Sequence, residues 1–326
     1  MTDQQTQPEA TPRKSVMITG GGGYIGRLVT EALADEPGGF ETIVCTDIRL
    51  PRPERRCEGV DYAELDVRDA GVISDLISTF EVDTVVHLAT VVGEHPEARA
   101  IDVGGTRKLL EACVENGVRK IIVTSSGAAY GYHEDNDPYL TEDSPLRGNE
   151  EFVYAQNKRL VEEMLADYRE EHPSLEQLVL RPGTILGDDV SSPISDFFEK
   201  PLILGLKDYA TPWVFIWDED VVNVIVAGVQ GEHTGTYNLA GDGVMTLREV
   251  ARAMDKPFIG LPAGLLSKAL NALQRYGLVD YGEEQVLFLA HRPVLSNQKL
   301  KSSFPYVPRK STRDVFEHYW SRRKAS

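Results

Sequence analysis

The feature that most constrains this chain is a run of glycine between a strand-like and a helix-like stretch. Residues 15–29 read SVMITGGGGYIGRLV. Glycine loses more backbone freedom on folding than any other residue, so Gly20 to Gly23 in a row, with Gly26 just beyond, are costly unless bare backbone is required. "MIT" has the character of a strand end, and "YIGRLVTEALA" spaces its apolar residues as a helix does. The glycines therefore form a strand-to-helix turn. Counted as G-x-x-G-x-x-G, Gly20 permits the tight turn and Gly23 lets a pyrophosphate approach backbone at the helix N-terminus. Gly26 lets the helix lie close on the sheet. Free N–H groups and the helix dipole favour negative charge at such a place.

The rest of the N-terminal half repeats this alternation. Residues 15–19, 42–47, 84–89, 120–125 and 176–182 read as short strands rich in Val and Ile, bounded by turn residues. Amphipathic stretches at 24–35, 69–79, 101–116 and 153–172 separate them. Apolar strands alternating with helices predict an α/β fold, a Rossmann-type doubly wound parallel sheet covered on both faces. The pattern predicts a dinucleotide-binding domain over 15–183. After Pro182 the rhythm breaks, and 184–326 reads as a smaller C-terminal substrate lobe that partly returns to the main sheet. Residues 1–14 are polar and contain Pro, and read as a disordered tail.

Two further signals refine the chemistry. Asp47 ends the second strand 21 residues after Gly26. That is the place of an acid that bonds the adenosine ribose hydroxyls and repels a 2′-phosphate, so NAD is expected over NADP. Arg49, two residues on, is a mild counter-signal. In "EFVYAQNKRLVEEM", Tyr154 and Lys158 stand at i and i+4 on one helix face. A nearby ammonium stabilises a phenolate, which would let Tyr154 exchange a proton with a substrate oxygen. A second Tyr-x-x-x-Lys, Tyr306 and Lys310, contains Pro308 and cannot be helical, so it is set aside. Ser126, in "IIVTSSGAAYG", follows a strand at the carboxyl edge of the sheet, where doubly wound folds bind ligands, and can hydrogen-bond the reacting oxygen.

Composition narrows the partners. The net charge of −17 over 326 residues argues against nucleic acid as a partner. No apolar run approaches membrane-spanning length. Cys45, Cys57 and Cys113 are odd in number and widely spaced, which reads as reduced thiols in a cytoplasmic protein. No metal site is expected.

Taken together, these residues resemble the extended short-chain dehydrogenase/reductase family, also called the NAD-dependent epimerase/dehydratase family, from about 15 to 315. "TGGGGYIG" resembles its phosphate loop, "HLAT" a segment along the cofactor, "YAQNK" its Tyr-x-x-x-Lys and "LRPGTILG" the stretch beside the nicotinamide. The resemblance implies a catalytic set of Ser126 (rather than Ser125), Tyr154 and Lys158. It implies NAD contacts from Gly20, Gly23, Tyr24, Ile25, Gly26, Asp47, Asp66, Val67, Leu88, Ala89, Thr90, Thr124, Tyr154, Lys158 and Pro182. Asp66 and Val67 would meet the adenine. It also implies a homodimer paired through helices 101–116 and 153–172.

The departures lie in two regions. Asp102 begins "DVGGT" where the family often has Asn, and Trp217 replaces the His of "FIHVDD". Where sugar-nucleotide members hold a diphosphate with Asn and Arg, this chain has Gly183 or Thr184 and Trp213 or Val214. Arg292 is the one well-placed cation. Ser126, Thr184, Trp213 and Arg292 are thus the candidate substrate residues. The expected activity is NAD-linked hydride transfer at an alcohol or ketone of a small or apolar substrate. The alternatives are a sugar-nucleotide epimerase or dehydratase, and a catalytically silent NAD-sensing regulator.

Overall fold

A computed structural model describes residues 13–325, apart from 94, 277–281 and 283. The N-terminal half runs β1 (Arg13–Thr19), α1 (Tyr24–Asp35), β2 (Phe40–Asp47), β3 (Val60–Glu64), α2 (Ala70–Thr79), β4 (Val82–His87), α3 (Thr106–Glu115), β5 (Lys120–Thr124), α4 (Val153–Glu171) and β6 (Glu176–Pro182). The C-terminal half follows with β7 (Thr184–Leu186), α5 (Pro193–Glu199), β8 (Ile203–Leu206), β9 (Pro212–Trp213), β10 (Phe215–Trp217), α6 (Asp218–Gln230) and β11 (Gly235–Leu239). It closes with β12 (Met245–Thr246), α7 (Leu247–Ala253), β13 (Phe258–Leu261), α8 (Ala263–Arg275), α9 (Glu284–Ala290), α10 (Gln298–Ser303) and α11 (Thr312–Ala325).

Seven parallel strands form one sheet in the order β3-β2-β1-β4-β5-β6-β11. This is the doubly wound order with an added strand, and its switch point lies between β1 and β4. Alternation along β1 feeds both faces: Val16 and Ile18 join a core with residues of α1 and α6, while Met17 joins one with residues of α2, α3 and α4. All three are fully buried, worth about 1.5–3 kcal/mol each. A third core, around Phe198, Trp213, Phe215 and Phe316, holds the C-terminal half together.

The return of the C-terminal half to the sheet is made by β11, which extends the sheet beyond β6, and by α6, which packs against α1. Lys120, fully buried on β5, donates to the Gly228 and Gly231 carbonyls at the end of α6, at 2.7 and 2.8 Å. A cation there answers the negative end of the helix dipole.

Several boundaries differ from the sequence expectation. The expected tail lies outside the described residues up to 12, but Arg13 and Lys14 belong to β1. Strand β4 ends at His87, and Leu88 keeps one last bond to Thr19 of β1 before the chain leaves the ladder. Strand β3 was not expected, because its half-exposed "VDYAE" lacks an apolar run. The helix expected over 101–116 opens as a π-helical turn, Ala100–Gly105, before α3 begins.

Candidate active site

The glycine turn sits at the switch point. Gly20 has φ +72°, and a Cβ there would stand 2.6 Å from Ala89 N. At Gly26 a Cβ would stand 2.1 Å from Gly20 O. Neither place accepts a side chain. Gly23 caps α1 in extended backbone; no side chain caps the helix, and no acid stands in its first turn. The N-terminal amides of α1, beginning with Tyr24 and Ile25, thus lack a side-chain acceptor of their own, the arrangement that seats a phosphate.

Asp47 braces this turn from the end of β2. Its Oδ2 accepts from Gly22 N at 3.1 Å and its Oδ1 from Arg49 N at 3.0 Å. Asp66 is gripped by Arg68 through Nε and Nη2, at 3.0 and 2.6 Å, and that guanidinium holds its carboxyl below the usual range. Val67 is buried against Gly105, where a Cβ would meet its Cγ2 at 2.5 Å. Leu88 N bonds Thr19 O at 3.0 Å, so Leu88, Ala89 and Thr90 run directly past the glycine turn. Tyr24 sends its hydroxyl away from the loop, to Asp218 Oδ2 at 2.5 Å. Burial is the main cause that raises both groups.

At the carboxyl end of β5 the candidate reactive groups converge. Ser125 Oγ turns inward to Glu162 Oε1 at 2.5 Å, which leaves Ser126 as the hydroxyl beside Tyr154. Ser126 Oγ also accepts from Ala128 N at 3.1 Å, so it caps the turn as well. Lys158 is 5% exposed, donates to Thr124 O at 3.1 Å, and holds Nζ 5.6 Å from the Tyr154 ring centre. Burial raises the Tyr154 phenol, and the nearby Ser126 hydroxyl opposes this. Burial also lowers Lys158, while Asp102 and Glu162 act to keep it charged.

Around this group lies a buried frame that the sequence reading missed. Asp102, in the π-helical turn, accepts from Thr90 Oγ1 (3.0 Å), Val91 N (2.9 Å) and Asn157 Nδ2 (3.1 Å). Asn157 precedes Lys158, so Asp102 anchors the first turn of α4. Behind it, His87 bridges Thr19 Oγ1 (Nδ1, 2.7 Å) and Thr106 Oγ1 (Nε2, 3.0 Å). Thr106 spends its proton on Asp102 O, so Nε2 of His87 is the donor and Nδ1 the acceptor. Glu162, four residues past Lys158, pairs with Arg181 of β6. Its spacing from Lys158 was the available signal.

The candidate substrate residues also meet. Arg292 Nη2 donates to Thr184 Oγ1 at 3.1 Å, and the guanidinium Cζ lies 3.5 Å from the Trp213 ring centre. Trp213 is 1% exposed and stacked on Phe215, so its ring meets Arg292 rather than open space. Tyr132, Phe152 and Phe288, from three separate segments, form an aromatic cluster beside Tyr154, with ring centres 4.9 to 6.4 Å apart.

Residues 16–240 match the model of the NAD dependent epimerase/dehydratase family. The chain belongs to that family. Its cofactor is NAD, and the bare glycine turn, the uncapped start of α1 and the Asp47 carboxylate fit that group. An uncharacterised protein of Mycobacterium tuberculosis is 23% identical over 316 residues, covering 94% of this chain and 83% of that one. UDP-glucose 4-epimerase of Azospirillum brasilense is 31% identical over 235 residues, covering 65% and 64%. Among solved structures, the Thermus thermophilus UDP-glucose 4-epimerase complex with NAD aligns over 96% of this chain and 99% of its own, at TM-score 0.74 and 22% identity. dTDP-glucose 4,6-dehydratase from Bacillus anthracis, in complex with NAD, gives TM-score 0.73 at 15% identity over 96% and 97%. Among the described residues no helix is long and apolar enough to cross a membrane.

Proposed function

We propose that this family member is an NAD-dependent oxidoreductase acting at an alcohol or ketone carbon, with Tyr154 as its general acid and base. The convergence of Ser126, Tyr154 and Lys158 at the end of β5 carries the reading. Bound NAD supplies the hydride acceptor and, when reduced, the donor. Ser126 hydrogen-bonds the reacting oxygen of the substrate. Tyr154 Oη gives that oxygen its proton in reduction and removes it in oxidation. Burial favours the neutral phenol, so Tyr154 rests with a proton to give. Asp102 and Glu162 oppose the burial that disfavours the Lys158 ammonium, which eases ionisation of the phenol when it must act as a base. Thr124, whose carbonyl receives Lys158, fixes the ammonium beside the ring.

A second reading, sugar-nucleotide epimerisation or dehydration, draws support from the named relatives and from the cation at Arg292. A silent sensor draws the least support, since it has no use for a buried phenol beside an ammonium.

Tyr154→Phe tests the reading. Turnover of a reactive alcohol, followed by NADH absorbance, should fall by on the order of a hundred-fold or more, with NAD affinity nearly intact. Lys158→Met should impair both turnover and NAD binding. Near-normal turnover in Tyr154→Phe would remove Tyr154 from the mechanism.

A further inference from the structure

Arg181 and Arg292 are treated differently by the fold: Arg181 is buried, whereas Arg292 is partly exposed but keeps one nitrogen shut from water. Arg181 faces Glu162 at 2.6 Å, a carboxylate as buried as itself. Arg292 makes no ion pair among the described residues. Its Nη2 reaches the neutral Thr184 hydroxyl, while its Nη1 is sealed from water with no partner. The rings of Trp213 and Phe288 press on it, at 3.5 and 4.4 Å from Cζ. Burial lowers the Arg292 guanidinium to about 10, and the nearby Tyr132 hydroxyl opposes this. A guanidinium nitrogen shut from water with neither acceptor nor counter-charge is costly to keep. An arginine kept for packing alone would carry a carboxylate, as Arg181 does.

The missing counter-charge is the signature of a ligand. One Nη edge, held flat against an indole, matches a planar acid group better than a diphosphate, which calls for several donors from more than one cation. Among the described residues, the groups in contact with Arg292 are Thr184, Trp213 and Phe288, with no second Lys or Arg. From Arg292 toward Tyr154 the wall is aromatic: Phe288 stands 5.2 Å from Tyr132, and Tyr154 packs against the same cluster. We infer that Arg292 receives a single substrate carboxylate, and that the substrate is a hydroxy or keto acid whose apolar ring-sized body lies along Tyr132, Phe152 and Phe288. This rests on the proposed oxidoreductase chemistry for the position of the reacting oxygen at Tyr154.

The test measures binding, so that chemistry and recognition are read separately. The full chain carrying Tyr154→Phe, with NAD present, is titrated calorimetrically with hydroxycyclohexanecarboxylates, hydroxymethylbenzoates and shikimate. Each acid is paired with its methyl ester, and uridine and thymidine diphosphate complete the panel. At least one acid should bind about ten-fold or more tightly than its ester, and Arg292→Met should erase the difference. In the unsubstituted chain the same acid should raise the thermal midpoint and its ester should not, a readout that needs no variant to fold. If every acid binds no better than its ester, or if a nucleoside diphosphate binds more tightly than every acid and depends on Arg292, the inference is overturned. If the unsubstituted chain binds an acid in preference to its ester but neither oxidises nor reduces any member of the panel with NAD, the chemistry falls and the carboxylate site stands. The opposite pattern would do the reverse.

Discussion

Arg181 and Glu162 meet at 2.6 Å with side chains 6% and 5% exposed, joining β6 to α4 one turn beyond Lys158. The carboxylate takes two more bonds from Arg181 Nε, both 2.9 Å, and one from Ser125. Arg181 Nη1 continues to Tyr130 Oη at 2.7 Å. Glu162→Gln should therefore cost about 3–5 kcal/mol of stability, because it strands a buried guanidinium. Urea denaturation measures this, and a loss below about 1 kcal/mol would mean that the pair contributes little net.

Asp47→Ala should loosen the glycine turn and the preference for NAD together. The carboxylate now spans Gly22 and Arg49, and a 2′-phosphate brought near it would be repelled. Titration of the unsubstituted and variant chains with NAD and NADP, followed by quenching of tryptophan emission, should show NAD affinity falling and the gap between the two narrowing. A native preference for NADP would mean that Arg49 outweighs Asp47.

Gly26→Ala should damage the turn with a single methyl group. The added carbon would lie 2.1 Å from Gly20 O and 2.7 Å from Gly21 Cα, both backbone atoms that cannot swing aside. The expected results are a loss of several kcal/mol on thermal unfolding, in the range of core overpacking or beyond, and weak NAD binding. Gly39→Ala is a control for backbone freedom without a clash: its φ is +89°, and nothing lies within 4 Å of the added carbon.

His87 predicts a pH dependence. Burial first, and then the Lys158 charge, lower it to about 3 from an ordinary 6.5. The unfolded chain therefore binds this proton at a higher pH than the folded one. The stabilisation is fully present above about 6.5 and is lost as pH falls toward 3, by up to about 1.4 kcal/mol per pH unit. Denaturation midpoints measured between pH 7 and pH 4 should show this slope, and His87→Gln should flatten it. An unchanged slope in the variant would shift the effect to the carboxylates.

The main sheet, the glycine turn and the Tyr154/Lys158 pair were legible because each is a local pattern: a buried run, a spacing or a helical repeat. Strand β3 was not, since an edge strand with Asp61 and Glu64 in it has no continuous apolar signal. Nor was the frame of Asp102, Asn157, Glu162 and Arg181, whose members become neighbours only once α4 packs beside β5 and β6. The aromatic cluster is a stronger case, because Tyr132, Phe152 and Phe288 lie on unrelated segments. Arg292 was visible as a lone cation, but its missing counter-charge is a property of three-dimensional packing alone.

The seventh strand bears on the order in which the protein can be made. Residues 13–183 leave the ribosome first, with β6 as a bare edge and the Lys120 ammonium without the Gly228 and Gly231 carbonyls that now receive it. An exposed strand edge is a template for wrong pairing, a condition a nascent chain must outlast. The nucleotide-facing half therefore has its complete sheet only after later sequence has been made. Synthesis of 184–239 is the interval during which the β6 edge stands open, until Gly235–Leu239 pairs with it.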